Sequence, residues 1–500
     1  MHTLPARVER IARDHASRTA LFCGERSIGY GDFWRQALRF ATHLRTQGIQ
    51  AGDRVAVILP NRIEAAVACY GVWLAGAVVV PLNVQARVRD FLPWLQHAQA
   101  RHVVYERSHA DAQQAVTQWQ PEAGASALED ATALPGESVD ADLSGAQASA
   151  DALAVILYTS GTTGAPKGVM LSHGNLLANA ESVVQYLQLQ IDDRVLSVLP
   201  FYYAYGASVL HTHLITGASV VLGPSLMFPH LVLDAMEQHQ ATGFSGVPST
   251  FALLLDHLPE RATRLSSLRY LTQAGGAMSP ALTQRLRGIL PWPQLFVMYG
   301  QTEATSRISW LPPHRLHDKL GSVGIPVPGV QWKIEHEDGR EACAGESGEV
   351  CVRGANIMQG YWNNAEATQR VLRDGWLHTG DLGYLDADGY LFLQGRRSDM
   401  IKTGAHRVHP NDVEEVIAEM PGVREVAVVG VDDEVMGQVI EAFVVATERP
   451  PRAEDRIKAW CRARLAPYKI PRHVTFVDAL PRTASGKVRR VQLMEQIATP

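Results

Sequence analysis

The sequence predicts an α/β fold: doubly wound α/β subdomains with a β-rich part, followed by a small α+β unit. Three observations carry this. Strand-like and helix-like segments alternate over residues 1–105, the pattern of a parallel, doubly wound sheet. A stretch without Asp, Glu, Lys or Arg spans 195–233, broken by Pro200, Gly206, Gly217, Pro224 and Pro229, as in the core of a second α/β subdomain. From 397 onward the pattern changes to short helices between β-branched runs. With 500 residues and 46% hydrophobic content, the chain can bury more than one core.

Taken in order, 54–59 reads as a strand, 64–74 as a helix, 77–80 as a second strand and 101–105 as a third. Residues 65–83 contain no charge, nearly enough for a membrane span. Gly71, Gly76 and Pro81 favour a buried helix, a turn and a buried strand instead. Residues 108–150, rich in Ala, Gln, Glu, Ser and Gly without a sustained period, read as partly ordered surface structure. A strand over 152–157 follows, then one over 169–171, and Ser172 reads as the N-cap of a helix over 174–187. Farther on, 382–385 and 390–394 form a hairpin around a turn at 386–389. In the last part, Asn411 caps a helix to about 420, strands fall at 424–431 and 439–445, and a helix at 453–465.

The net charge is -5 and no basic run points to nucleic acid. The five cysteines lack a CxxC pair, so neither a disulfide framework nor a zinc site is indicated. His211 and His213 form an HxH pair without a third ligand at metal spacing. Charges near the N-terminus occupy the place of a signal peptide's apolar stretch. These features predict a cytoplasmic protein without a membrane span.

The chemistry centres on 158–168, YTSGTTGAPKG. Glycines let backbone N–H groups approach an anion. The hydroxyls of Thr159, Ser160, Thr162 and Thr163 can donate to phosphate oxygens, and Lys167 can neutralise charge. The loop is not a Walker A loop, because no Gly precedes the Lys and no Ser or Thr follows it. Composition alone fits a flexible surface turn equally well. Four other stretches stand out: LPFYYAYG at 199–206, QAGGAM at 273–278, MYGQTEA at 298–304 and WLHTGDLGYLDADGYLFLQGRR at 376–397. The tail holds PRTASGKVRR at 481–490, which by itself reads as a basic, solvated loop.

Together these motifs, in this order and over nearly the whole chain, resemble the adenylate-forming superfamily: acyl- and aryl-CoA synthetases, beetle luciferases and peptide-synthetase adenylation domains. The resemblance is to the stand-alone acyl-CoA synthetases above all. It implies a large N-terminal domain, 1–395, that binds ATP and the acyl group. A small mobile α+β C-terminal domain, 396–500, would turn about a hinge at Ser398 and Asp399. It implies ATP-dependent conversion of a hydrophobic carboxylic acid to acyl-AMP, then transfer to coenzyme A; the alternative acceptor is a carrier protein's phosphopantetheine. A non-catalytic nucleotide binder is disfavoured, since Lys167, Glu303, Asp381, Arg396 and Lys487 are all present.

The resemblance also implies roles. Thr159, Ser160, Gly161, Thr162, Thr163 and Gly164 would wrap the phosphates with Lys167. Gly276, Ala277, Tyr299, Gly300 and Gln301 would surround the nucleotide, with Tyr299 stacked on adenine. Thr302 would contact the α-phosphate and Glu303 would hold Mg2+, for which a carboxylate is a fitting hard ligand. Asp381 and Arg396 would bind the ribose; alone, Asp381 also reads as a turn carboxylate. Lys487 would serve adenylation, and Lys402, beside the hinge, the second step. Tyr203, Tyr205, Val247 and Gly275 would line the acyl pocket, and Gly404 and Ala405 the thiol tunnel. Two positions depart from the family: Ser398 where Asp or Lys is usual, and Ala405 where a second glycine is usual. The segment 201–208 lacks the Asp that pairs an amino acid's ammonium. The aromatic, uncharged segment predicts a hydrophobic monocarboxylic acid rather than acetate, a dicarboxylate or an amino acid. The opposing expectation is a polar or hydroxylated acid met by tyrosine hydroxyls.

Overall fold

The computed structural model describes residues 3–129, 134–136, 148–159, 167–404, 406–433, 436–483 and 487–498. Two mostly parallel sheets form the large N-terminal domain. A seven-stranded sheet runs Gly360–Tyr361, Lys167–Ser172, Leu153–Thr159, Val78–Pro81, Arg54–Ile58, Ala100–Glu106 and Ala125–Leu128. A nine-stranded sheet has Gln294–Tyr299, Tyr270–Gln273, Gly243–Gly246, Arg194–Ser197, Ser219–Leu222 and Thr19–Cys23 as its parallel run. Helices cover the sheet faces, so the strands are buried on both sides and read as continuous apolar runs. The charge-free stretch 65–83 is the buried helix Ile63–Leu74 followed by the central strand Val78–Pro81. No helix among the described residues is long and apolar enough to cross a membrane.

The expected β-rich part is an antiparallel sheet of Val330–Glu335, Gly348–Gly354, Trp376–Leu385 and Leu372–Arg373, with Leu391–Arg396 paired to Trp376–Leu385. The small C-terminal domain packs helices Pro410–Ala418 and Ala453–Arg462 on a sheet built around Gly437–Ala446.

Several expectations change in detail. The stretch after residue 108 contains the helix Ala110–Trp119 and the strand Ala125–Leu128. The helix expected to be capped by Asn411 starts at Pro410, with His409 at the N-cap. Proline's fixed φ suits the first helical position, which moves the cap back along the chain. The helix expected over 453–465 ends at Arg462, and His473–Phe476 adds a parallel strand that was not foreseen. Ser172 caps His173–Leu187 through its side chain, as expected.

Candidate active site

The hairpin of Trp376–Leu385 and Leu391–Arg396 sets one edge of the site. Its register places Asp381 opposite Arg396, and Arg396 Nε lies 3.3 Å from Asp381 Oδ1. The other carboxylate oxygen accepts a 2.6 Å hydrogen bond from the Tyr299 hydroxyl, so the end of Gln294–Tyr299 meets the hairpin here. Burial pushes the Asp381 carboxyl up, against the lowering effect of Arg396, Tyr299 and Lys487. Asp381 in turn holds the Arg396 guanidinium above its ordinary range.

Tyr299 leads into Gly300, Gln301 and the single helical turn Thr302–Ala304. A Cβ on Gly300 would stand 2.0 Å from the Ser306 carbonyl oxygen, so glycine alone lets the chain fold back this tightly. Asn356, absent from the sequence reading, locks the turn. Its Nδ2 donates to the Ala304 and Arg307 carbonyls, and its own carbonyl accepts from Thr305 Oγ1. The Met358 N–H donates to the Glu303 carbonyl. Tyr361 was missed as well. Its hydroxyl donates to Glu303 Oε1 at 2.8 Å, and Lys167 Nζ lies 5.9 Å from its ring centroid, near the limit of a cation–π contact. Tyr361 reaches this point because its short strand pairs with Lys167–Ser172.

Lys487 comes from the small domain. Thr483 and Lys487 exchange two hydrogen bonds, the Thr483 N–H donating to the Lys487 carbonyl and the Lys487 N–H to Thr483 Oγ1. The residue as a whole is exposed, but its ammonium end is crowded enough that desolvation lowers its pKa. Arg396 adds to the lowering, while Asp381 and Glu303 oppose it. Lys487, Arg396, Asp381 and Glu303 therefore share one electrostatic site.

Other residues fall elsewhere. Lys402 is exposed on Ile401–Thr403, with its N–H bonded to Gln438 Oε1, outside this cluster. Gly404 has a φ of +59°. Asp399 lies in the turn Arg397–Asp399, 3.5 Å from Arg490; Ser398 shares that turn. Gly276 and Ala277 are exposed, and Val247 Cγ1 would lie 3.2 Å from a Cβ on Gly275. Ser160, Gly161, Thr162, Thr163, Gly164 and Ala405 lie outside the described residues; Thr159 and Lys167 face each other across the antiparallel strand pair.

Tyr203 is the N-cap of Ala204–Thr216, its ring 4.7 Å from Tyr202. Tyr205 directs its hydroxyl to Thr272, bonding both the carbonyl oxygen and Oγ1 at 2.9 Å. A cavity lies between this helix and the seven-stranded sheet, lined by Trp73, Leu157, Asn179, Phe201, Ser208 and Thr305 among others. Tyr203, Tyr205, Val247 and Gly275 do not line it.

The donor set fits a nucleoside triphosphate with a divalent cation. Glu303 is a carboxylate fixed by one hydroxyl, Asp381 can accept from vicinal hydroxyls, and Lys167, Arg396 and Lys487 supply positive charge. The family model described as AMP-binding enzyme matches residues 8–362. The chain belongs to this family. A second model, AMP-binding enzyme C-terminal domain, matches residues 412–487 of this AMP-binding enzyme. It is 37% identical to a feruloyl-CoA synthase from Amycolatopsis sp over 96% of each chain. It is 35% identical to a 2-succinylbenzoate–CoA ligase from Bacillus licheniformis, over 95% of this chain and 96% of the relative. The solved O-succinylbenzoate coenzyme A synthetase from Bacillus subtilis with ATP and magnesium ion superimposes with a TM-score of 0.85 at 32% identity, covering 97% of this chain and 98% of that one. The AMP-binding enzyme described here is an AMP-forming acid–thiol ligase that uses ATP and Mg2+.

Proposed function

We propose that this enzyme converts a carboxylic acid with an apolar body into its coenzyme A thioester, and that the geometry described above is set for the first half-reaction. The observation that carries the reading is Lys487. A residue of the small domain stands in the same electrostatic site as Asp381, Arg396 and Glu303 of the large one. The apolar walls of the adjacent cavity, with Trp73, Leu157 and Phe201, and the aromatic acid in the feruloyl relative's name support the apolar body.

In the first half-reaction a carboxylate oxygen of the acid forms a bond to the α-phosphorus of ATP. The bond from that phosphorus to the pyrophosphate oxygen breaks, giving acyl-AMP. Negative charge grows on the phosphoryl oxygens, and Lys487 and Lys167 are the cations placed to offset it. Glu303, oriented by Tyr361, would hold Mg2+, which when bound adds charge stabilisation on the phosphates. Asp381 and Arg396 would hold the ribose, and Tyr299 would stack on adenine while its hydroxyl fixes Asp381. In the second half-reaction the thiol sulfur attacks the acyl carbon, its proton is lost, and AMP leaves. For that step we assign the small domain, from about residue 396, a rotation about Ser398 and Asp399 that withdraws Lys487 and presents Lys402 and the Gly404–Ala405 segment.

The test is acid-dependent ATP–pyrophosphate exchange with a panel of carboxylic acids. Thioester formation is then compared with free coenzyme A and with a holo-carrier protein as acceptor. Exchange with an apolar or aryl acid and efficient transfer to free coenzyme A are expected. Transfer to the carrier protein alone would overturn the choice of thiol.

A further inference from the structure

The turn that follows Glu303 ends in a buried arginine with no opposite charge beside it. Arg307 is 2% exposed. Its guanidinium carbon lies 4.2 Å from the Tyr205 ring centroid. Nη1 donates to the Ser306 carbonyl and to Ser306 Oγ, and Nε has no acceptor. The ion pairs among the described residues leave Arg307 out, whereas the buried Arg62 is paired with Glu64 and Glu106. A buried guanidinium without a counter-ion is costly to the fold.

Two more buried polar atoms without partners lie on the neighbouring helix His173–Leu187: Asn179 Nδ2 and Ser182 Oγ. They are three residues apart, on one helix face. Tyr186, one turn farther along that face, feels the charge of Arg307 and is hydrogen-bonded to it through its hydroxyl, so Nε is the atom of Arg307 left unmet. On the facing helix, Ser208 donates to Asn179 Oδ1 at 3.2 Å and lies one turn beyond Tyr205. Asn179, Ser208 and Thr305 line the cavity, whose other walls are largely apolar; Arg307, two residues past Thr305, is not itself one of the lining residues. The unmet groups on Arg307 and Asn179 are both donors. A group made only of acceptors, a carboxylate above all, is their chemical complement.

We infer that the acid activated by this enzyme carries a second oxygen acceptor, anionic in the preferred substrates, at the end away from the reacting carboxyl, and that Arg307 and Asn179 receive it. This rests on the ligase reading above and narrows its substrate to an apolar body with an oxygen-bearing far end. It also departs from the monocarboxylate expected from the uncharged segment 195–233, because the polar end is supplied from outside that segment. The Tyr205 hydroxyl does not supply it, since it is held by Thr272.

The test uses the full chain and matched acids of equal length: linear dicarboxylates against monocarboxylates, and aryl acids with and without a distal carboxyl group. In ATP–pyrophosphate exchange, kcat/KM of the wild type is expected to favour the acceptor-bearing member of a fitting pair by tenfold or more. Arg307→Met should bring that ratio to one or below, Asn179→Leu should reduce it several-fold, and the KM for ATP should hold. Without substrate, Arg307→Met should unfold at the same or a higher temperature, which a purely structural arginine would not allow. A preference unchanged in Arg307→Met, or a wild type that favours the plain acid, would overturn the inference and leave the ligase reading intact. Exchange with no acid at all would overturn both.

Discussion

Asp381 and Arg396 face each other across one hairpin, with Arg396 Nε 3.3 Å from one carboxylate oxygen while the Tyr299 hydroxyl donates at 2.6 Å to the other. The carboxylate is thus gripped from two strands that belong to different sheets, and burial raises its pKa. On the reading proposed above, this carboxylate receives the two ribose hydroxyls. Asp381→Ala should weaken ATP binding by ten- to a hundredfold, the scale of a lost charge-assisted hydrogen bond at about 1.5–3 kcal/mol. Acid binding should change little. Calorimetric titration with ATP checks this, and an unchanged affinity removes the ribose assignment.

Lys487→Ala should slow acyl-AMP formation about a hundredfold or more, since one lost contact to developing charge costs about 2–4 kcal/mol. Thioester formation from supplied acyl-AMP should persist. Rapid-quench measurement of the two half-reactions separates them. An adenylation rate within a few-fold of wild type would count against the role.

The pH profile follows from the same lysine. Desolvation, aided by Arg396, lowers the Lys487 pKa, so the ammonium form is lost at a lower pH than for an ordinary lysine. The alkaline limb of kcat/KM for ATP, which reports the free enzyme, should therefore fall below the usual lysine range. In Lys487→Arg any residual activity should lose that limb, because a guanidinium stays charged.

Acid sensitivity of the fold has a separate source. Burial lowers the pKa of His211 to about 3 and those of His102, His173 and His213 to about 4. The unfolded chain binds protons at these sites first, near the ordinary value of 6.5. Their stabilising contribution is therefore complete above that pH and is lost as pH falls towards 4, on the order of 3 kcal/mol per histidine. Denaturant midpoints measured from pH 7 to 4 should drop steeply. Replacing His102 by Gln should flatten the slope, and an unchanged slope would contradict the assignment.

Ser398→Pro tests the hinge. Proline fixes φ and restricts the residue before it, so one domain pose should be retained at the expense of the other. One half-reaction should survive and the other be blocked. A variant fully active in both steps removes the hinge proposal.

Local chemistry made much of this protein legible in its sequence. The hairpin that pairs Asp381 with Arg396 is announced by alternating residues around the turn at 386–389. The glycines, hydroxyls and Lys167 of residues 158–168 fit a phosphate site and a surface turn equally until the other motifs are read with them, and the charge-free stretches follow from strands buried on both faces. These are short-range properties, carried by residues close together in the chain. The helix Ala110–Trp119 was not legible, because its many alanines and glutamines give little apolar period.

Tertiary structure alone decided which distant groups meet. Tyr361 reaches Glu303 only because Gly360–Tyr361 adds to the edge of a sheet, and Asn356 locks the turn after Tyr299 from a separate subdomain. Nothing in the spacing of residues 298–307 tells whether Arg307 faces water or is buried over Tyr205. Its lack of a carboxylate partner is a fact about the neighbours, which come from Ala204–Thr216 and His173–Leu187. Periodicity shows which face of an element is apolar, but not what another element places against that face. For this enzyme, the type of reaction lay in the motifs, whereas the surroundings of Arg307 and the cavity came from packing.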